Sequence, residues 1–127
     1  MYSLPSNNAT ILVTDDSEIN RELLSDILIG EGYKVVCAED GSRALHEIEN
    51  RVIDLVLLDV MMPGMTGFDV CQSIKSRPET RFIPVVLVTG LTSVEERILG
   101  IRSGAVQRTQ FAAQSPTSAL LRFLSEH

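Results

Sequence analysis

The sequence predicts an α/β fold of the doubly wound kind, a five-stranded parallel sheet in the order 2-1-3-4-5 with helices on both faces. Three observations carry this. The run Leu55-Val56-Leu57-Leu58 is apolar without interruption between Asp54 and Asp59, as expected of a strand buried on both faces of a parallel sheet. Short apolar runs alternate with stretches of helical periodicity, the pattern of parallel strands joined by crossover helices. The successive runs also end on acids or a hydroxyl, at Asp15-Asp16, Asp59 and Thr89.

Residues 1–8 are polar and turn-rich and read as a loose arm. Ile11-Leu12-Val13-Thr14 is the first strand and stops on Asp15-Asp16. Ser17 is placed to cap a helix whose face is traced by Ile19, Leu23, Leu24, Ile27 and Leu28, with Gly30 and Gly32 ending it. Tyr33 to Ala38 is the second strand, followed by a turn at Glu39-Asp40-Gly41 and a short helix carrying Ala44, Leu45 and Ile48. His46 on that helix reads as a solvated side chain.

The third strand, Leu55 to Leu58, delivers Asp59. Pro63 and Gly64 turn the chain, Gly67 permits a tight entry, and Phe68, Cys71 and Ile74 repeat at helical spacing. Residues 76–82 form a charged loop. Pro84 must sit at the start of the fourth strand, because it cannot donate to a central ladder; that strand ends on Thr89. Thr92 or Ser93 caps the next helix, with Val94, Ile98 and Ile101 inward and Gly104 closing it. Val106 to Phe111 alternates as a fifth strand but is too polar for a central one, and Pro116 opens a last helix bearing Leu120, Leu121 and Leu124.

At 127 residues the chain makes one compact domain. Its net charge of -6 argues against a generalised nucleic-acid surface, which needs clustered Lys and Arg. No run approaches the roughly 18 apolar residues of a membrane span, and the first residues lack a secretory pattern, so a cytoplasmic location is expected. The two cysteines, Cys37 and Cys71, have no metal-like spacing and are expected to be buried reduced thiols.

In a doubly wound sheet the crevice beyond the carboxyl ends of the strands is where ligands bind. That rim receives Asp15, Asp16, Asp59 and Thr89. Crowded carboxylates repel one another, and a divalent cation among them relieves the repulsion. Mg²⁺ takes hard oxygen ligands and keeps several waters, which suits an open acidic rim. The same ion would shield an incoming phosphoryl group from the carboxylate that attacks it.

At these residues the chain resembles the receiver domain of bacterial two-component response regulators. The resemblance lies in Ile11 to Asp16, Leu57 to Gly67 and Ile83 to Gly90, and runs from about Ala9 to Ala105. It implies a flavodoxin-like receiver domain over residues 9–127, in which Asp59 accepts a phosphoryl group from a histidine kinase or phosphotransfer protein. It further implies that Asp16 and Asp59 ligate Mg²⁺ with the Met61 carbonyl, that Asp15 acts through metal-bound water, and that Thr89 is the switch hydroxyl. An effector domain or partner protein would take the output, with a homodimer left open and neither nucleic acid nor membrane bound directly.

Residues 106–127 depart from that pattern. Counting from Gly104, the family's switch aromatic falls on Arg108 and its Lys-Pro pair on Phe111-Ala112, and the chain has no Lys after Lys75. A degenerate pseudo-receiver, an interaction module with little phosphorylation, is therefore the alternative. A Mg²⁺-dependent phosphohydrolase is disfavoured, since no acid/base group accompanies Asp59 and His46 lies two elements away.

Overall fold

The computed structural model describes residues 9–88, with the backbone only at Val88. The elements are β1 (Thr10–Thr14), α1 (Glu18–Gly30), β2 (Lys34–Ala38), α2 (Gly41–Asn50), β3 (Leu55–Asp59), α3 (Gly67–Lys75) and β4 (Val85–Val88). All pairings are parallel, in the order β2-β1-β3-β4. This is the expected doubly wound order as far as the described residues reach; the fifth strand and last helix lie outside them.

Strand alternation divides the core into two layers. Ile11, Val13, Leu55, Leu57 and Val86 face one side and pack with Leu24 and Leu28 of α1. Leu12, Val56, Leu58, Val85 and Leu87 face the other and pack with Ala44 and Ile48 of α2 and Val70, Cys71 and Ile74 of α3. Leu55 to Leu58 are at most 2% exposed, as a strand between two neighbours and two helical layers requires.

Two expectations are corrected. The inner face of α1 is narrower than its apolar pattern: Leu24 and Leu28 are buried, while Ile19 and Leu23 are exposed. Cys71 is buried but Cys37 is exposed. Cys37 pairs with Val13 on the α1 face of β2, an edge strand of the described sheet that α1 covers incompletely, and its Sγ lies 3.2 Å from Ser25 Oγ.

The connections hold the strand ends in place. Asp40 caps α2 by accepting from the Arg43 N–H, so the expected turn at 39–41 runs directly into the helix. Glu47 is buried on α2 and bridges Arg43 and Arg51, which hold its carboxyl below the usual range, the Arg51 hydrogen bond foremost. In the loop after α3, the Lys75 ammonium donates to the carbonyls of Arg81 and Ile83, and Thr80 Oγ1 donates to the Ile74 carbonyl at 2.6 Å. Burial pushes the Lys75 pKa down. Pro84 precedes β4 and its carbonyl accepts from Val56 N–H, the role expected of a proline at the mouth of a strand.

Candidate functional site

Parallel neighbours β1 and β3 end side by side, with Thr14 paired to Leu58. Asp15 and Asp16, directly after β1, and Asp59, the last residue of β3, therefore reach the same end of the sheet. One carboxylate oxygen from each lies within 4.8 Å of the others. Asp15 is buried, Asp59 half-buried and Asp16 exposed, so the cluster opens to solvent through Asp16.

Each buried acid is held by its own loop. Asp15 Oδ1 accepts from Ser17 N–H at 2.8 Å, and its Oδ2 accepts from the Asn20 side-chain amide at 3.3 Å. The Arg21 guanidinium donates to the Asp15 backbone carbonyl at 2.7 Å. Asp59 Oδ1 accepts from Met61 N–H at 3.1 Å. Ser17 caps α1 as expected, through Asn20 N–H.

The turn after Asp59 is fixed by its glycines and its cap. Gly64 takes φ 77°, the left-handed region that glycine enters without strain. Gly67 N–H donates to the Val60 carbonyl at 3.1 Å. Thr66 and Asp69 form a reciprocal capping box that starts α3 directly beneath the site. Met61 has an exposed side chain, which leaves its backbone as the part near Asp59.

Electrostatics match the crowding. Burial, then the charge of Asp15, push Asp59 up to about 7, with Asp16 adding to the rise and the Met61 N–H opposing it. Asp15 is raised as well, chiefly by burial. Carboxyls this costly to ionise side by side are a donor set for a hard cation, whose charge would offset both burial and mutual repulsion.

Among the sequence-predicted residues, the structure brings Asp15, Asp16, Asp59 and the Met61 backbone together. Thr89, Arg108 and Phe111 lie outside the described residues. His46 is exposed on α2, with its carbonyl accepting from Asn50, and takes no part in the cluster. Asn20 and Arg21, which touch Asp15, were not apparent in the sequence. Their only signal is position, in the first turn of a helix that begins just after the acids.

The response regulator receiver domain family model matches residues 11–108. Response regulator PleD of Caulobacter vibrioides is 51% identical over 98 residues, covering 77% of this chain and 22% of that protein. A probable cyclic di-GMP phosphodiesterase of Vibrio cholerae is 41% identical over 100 residues, 79% of this chain and 22% of the other. DNA-binding response regulator MtrA of Mycolicibacterium smegmatis is 41% identical over 95 residues, 75% of this chain and 40% of its own. The chain thus spans about a fifth to two fifths of the length of these relatives.

Among solved structures, Vibrio cholerae chemotaxis protein CheY4 superposes with a TM-score of 0.83 at 31% identity, over 94% of this chain and 98% of that one. Response regulator TrrA of Thermotoga maritima, solved in complex with Mg²⁺-BeF, gives 0.75 at 28% identity, over 93% and 96%.

Proposed function

The chain belongs to the response regulator receiver domain family, and on that premise we propose that it receives a signal by accepting a phosphoryl group on Asp59 with Mg²⁺ bound. The observation that supports this is the convergence of Asp15, Asp16 and Asp59 with Asp59 raised to about 7. A nucleophilic carboxylate must be ionised, and without a cation the burial of Asp59 and the charge of Asp15 oppose that. When bound, Mg²⁺ keeps the carboxylates ionised and neutralises charge on the phosphoryl oxygens. Asp16, Asp59 and the Met61 carbonyl are the ligands we assign, with Asp15 acting through coordinated water.

The Met61 N–H engages one oxygen of Asp59 and leaves the other to attack phosphorus. In transfer from a phosphohistidine, the new O–P bond forms as the N–P bond breaks, and the imidazole keeps that electron pair and takes up a proton. The product is an acyl phosphate on Asp59, a single modification of the chain rather than turnover of a free substrate.

The donor is a histidine kinase or phosphotransfer protein, and the output passes to an effector domain, a partner protein or a second copy. Phosphorylation from a small phosphodonor with Mg²⁺, read by intact mass, tests this reading. A single stable adduct that disappears in Asp59→Asn is expected; an adduct that survives that substitution removes the assignment.

A second reading is favoured by one sequence observation, Phe111 at the position where the resemblance expects Lys. There the chain is an interaction module with little phosphorylation, and the same mass experiment yields no adduct. The cytoplasm is the proposed location for either reading, and no described helix is long and apolar enough to cross a membrane. The acidic charge of the chain favours proteins over nucleic acid as direct partners.

A further inference from the structure

Three donors hold Asp15, and each comes from the junction of β1 with α1. The Ser17 N–H and the Arg21 guanidinium take Oδ1 and the backbone carbonyl. The carboxylate's one side-chain donor among the described residues is the Asn20 amide, on Oδ2. Asn is a poor helix former, and the helix cap does not use its side chain: Ser17 Oγ is bonded by the Asn20 backbone N–H. What the side chain does in this structure is reach back five residues to Asp15.

We propose that Asn20 is a positioning residue, whose amide orients the Asp15 carboxylate toward the hydration shell of the cation held by Asp16 and Asp59. The inference rests on the phosphoacceptor reading above. Each carboxylate oxygen has two lone pairs, and the Ser17 and Asn20 bonds engage one on each. The remaining pair on each oxygen stays available at the rim, where the oxygens of Asp16 and Asp59 lie. With the amide in place Asp15 is only 3% exposed, so the carboxylate is ordered by protein groups and not by bulk solvent. Without the amide the carboxylate keeps one fixed oxygen and can rotate about it. Ordering then has to occur when the ion arrives, at the expense of affinity. Partners that orient direct metal ligands typically change affinity by about 10- to 100-fold when removed; Asp15 itself acts through water, which puts Asn20 at the lower end of that range.

The test uses the purified chain and metal alone, so that contacts between α1 and a protein partner do not enter. Mg²⁺ is titrated into the native chain, Asn20→Ala, Asp15→Asn and the double variant, followed by the Ser17 and Met61 amide resonances. Mn²⁺, which takes the same hard oxygen donors, repeats the series by paramagnetic resonance of the free ion and keeps weak variants measurable. Asn20→Ala should bind about 10-fold more weakly while its metal-free melting temperature stays near the native one, since Ala is the better helix former. In the Asp15→Asn background the same change should alter affinity less than about twofold, because residues acting through one group are not additive. Native affinity in Asn20→Ala, or a full 10-fold loss repeated without the Asp15 carboxylate, overturns the proposal. A native chain that shows no cation response removes the phosphoacceptor reading itself, which separates the two failures.

Discussion

Gly67 lies so close to Asp59 that a β-carbon built on it would sit 2.5 Å from the Asp59 carbonyl oxygen and 2.9 Å from the Val60 Cα. Both are backbone atoms, which cannot swing aside as a flexible side chain can. The hydrogen bond from Gly67 N–H to the Val60 carbonyl holds the contact. The start of α3 is thus pressed against the strand end that carries the candidate phosphoacceptor.

A methyl group at this point has to move either α3 or Asp59. Gly67→Ala is expected to cost about 1 to 3 kcal/mol, the range for overpacking a closed site. It should also weaken the Mg²⁺ response, because the Asp59 backbone is one of the two surfaces in the clash. Urea unfolding with and without Mg²⁺ measures both effects. A stable variant with native Mg²⁺ affinity would show that the turn has slack.

Removing the Asp59 charge should stabilise the metal-free protein. Its carboxylate is disfavoured first by burial and then by Asp15, and Asn keeps an oxygen for the Met61 N–H. Solvent reaches the half-buried group, so the gain for Asp59→Asn at pH 8 is put at about 1 kcal/mol. The variant should lose the thermal shift on adding Mg²⁺, as should Asp16→Asn. Asp15→Asn should lose it only in part. A Mg²⁺ shift that survives substitution at both 16 and 59 would put the ion elsewhere.

The pH dependence follows with a sign opposite to that of a paired carboxylate. Asp59 titrates at about 7 in the fold against 3.8 as a free side chain. Between those values the folded state binds more protons than the unfolded one, so stability falls as pH rises. Below about 4 the contribution is fully present, and above about 7 it is lost. Asp15, also raised, adds to the same trend. Thermal melts of metal-free protein at pH 5 and pH 8 should show the native chain losing more stability than Asp59→Asn. Equal losses in the two proteins would mean that Asp59 ionises without penalty in the fold.

How far the sequence carried this result depends on what kind of signal each feature leaves. Leu55 to Leu58 and the acids beyond them were legible because burial on two faces forces an unbroken apolar run, and the end of that run marks the rim. Ile19 and Leu23 misled because a helical stripe reports which residues share a face, and not which of them the fold covers. Cys37 misled for a related reason: its apolar neighbours share the strand, but the incomplete cover of α1 leaves it open. Asn20 and Arg21 left no pattern beyond their place in the first turn of α1. Their contacts depend on how the first turn of α1 folds back on Asp15, a relation between a loop and a helix that residue types alone do not encode.

The last prediction concerns the lysine that the resemblance expects and the chain lacks, at a position outside the described residues. A phosphoryl group on Asp59 brings close to -2, Asp15 and Asp16 bring about -2 more, and Mg²⁺ returns +2. The rim is left near -2, and an ammonium would halve it while binding a phosphoryl oxygen. The chain has Phe111 where that ammonium is expected and no Lys beyond Lys75. Each unit of uncompensated charge disfavours arrival of the phosphoryl group, so the natural chain should be phosphorylated more slowly than a Phe111→Lys, Ala112→Pro variant. Phosphorylation of both by a small phosphodonor, followed by intact mass over time, measures the rates. Their amide spectra with beryllofluoride, a phosphoryl mimic, report whether residues 106–127 respond. Equal rates and equal spectral changes would show that the lysine is dispensable here, and that the residual negative charge is compensated by some other group.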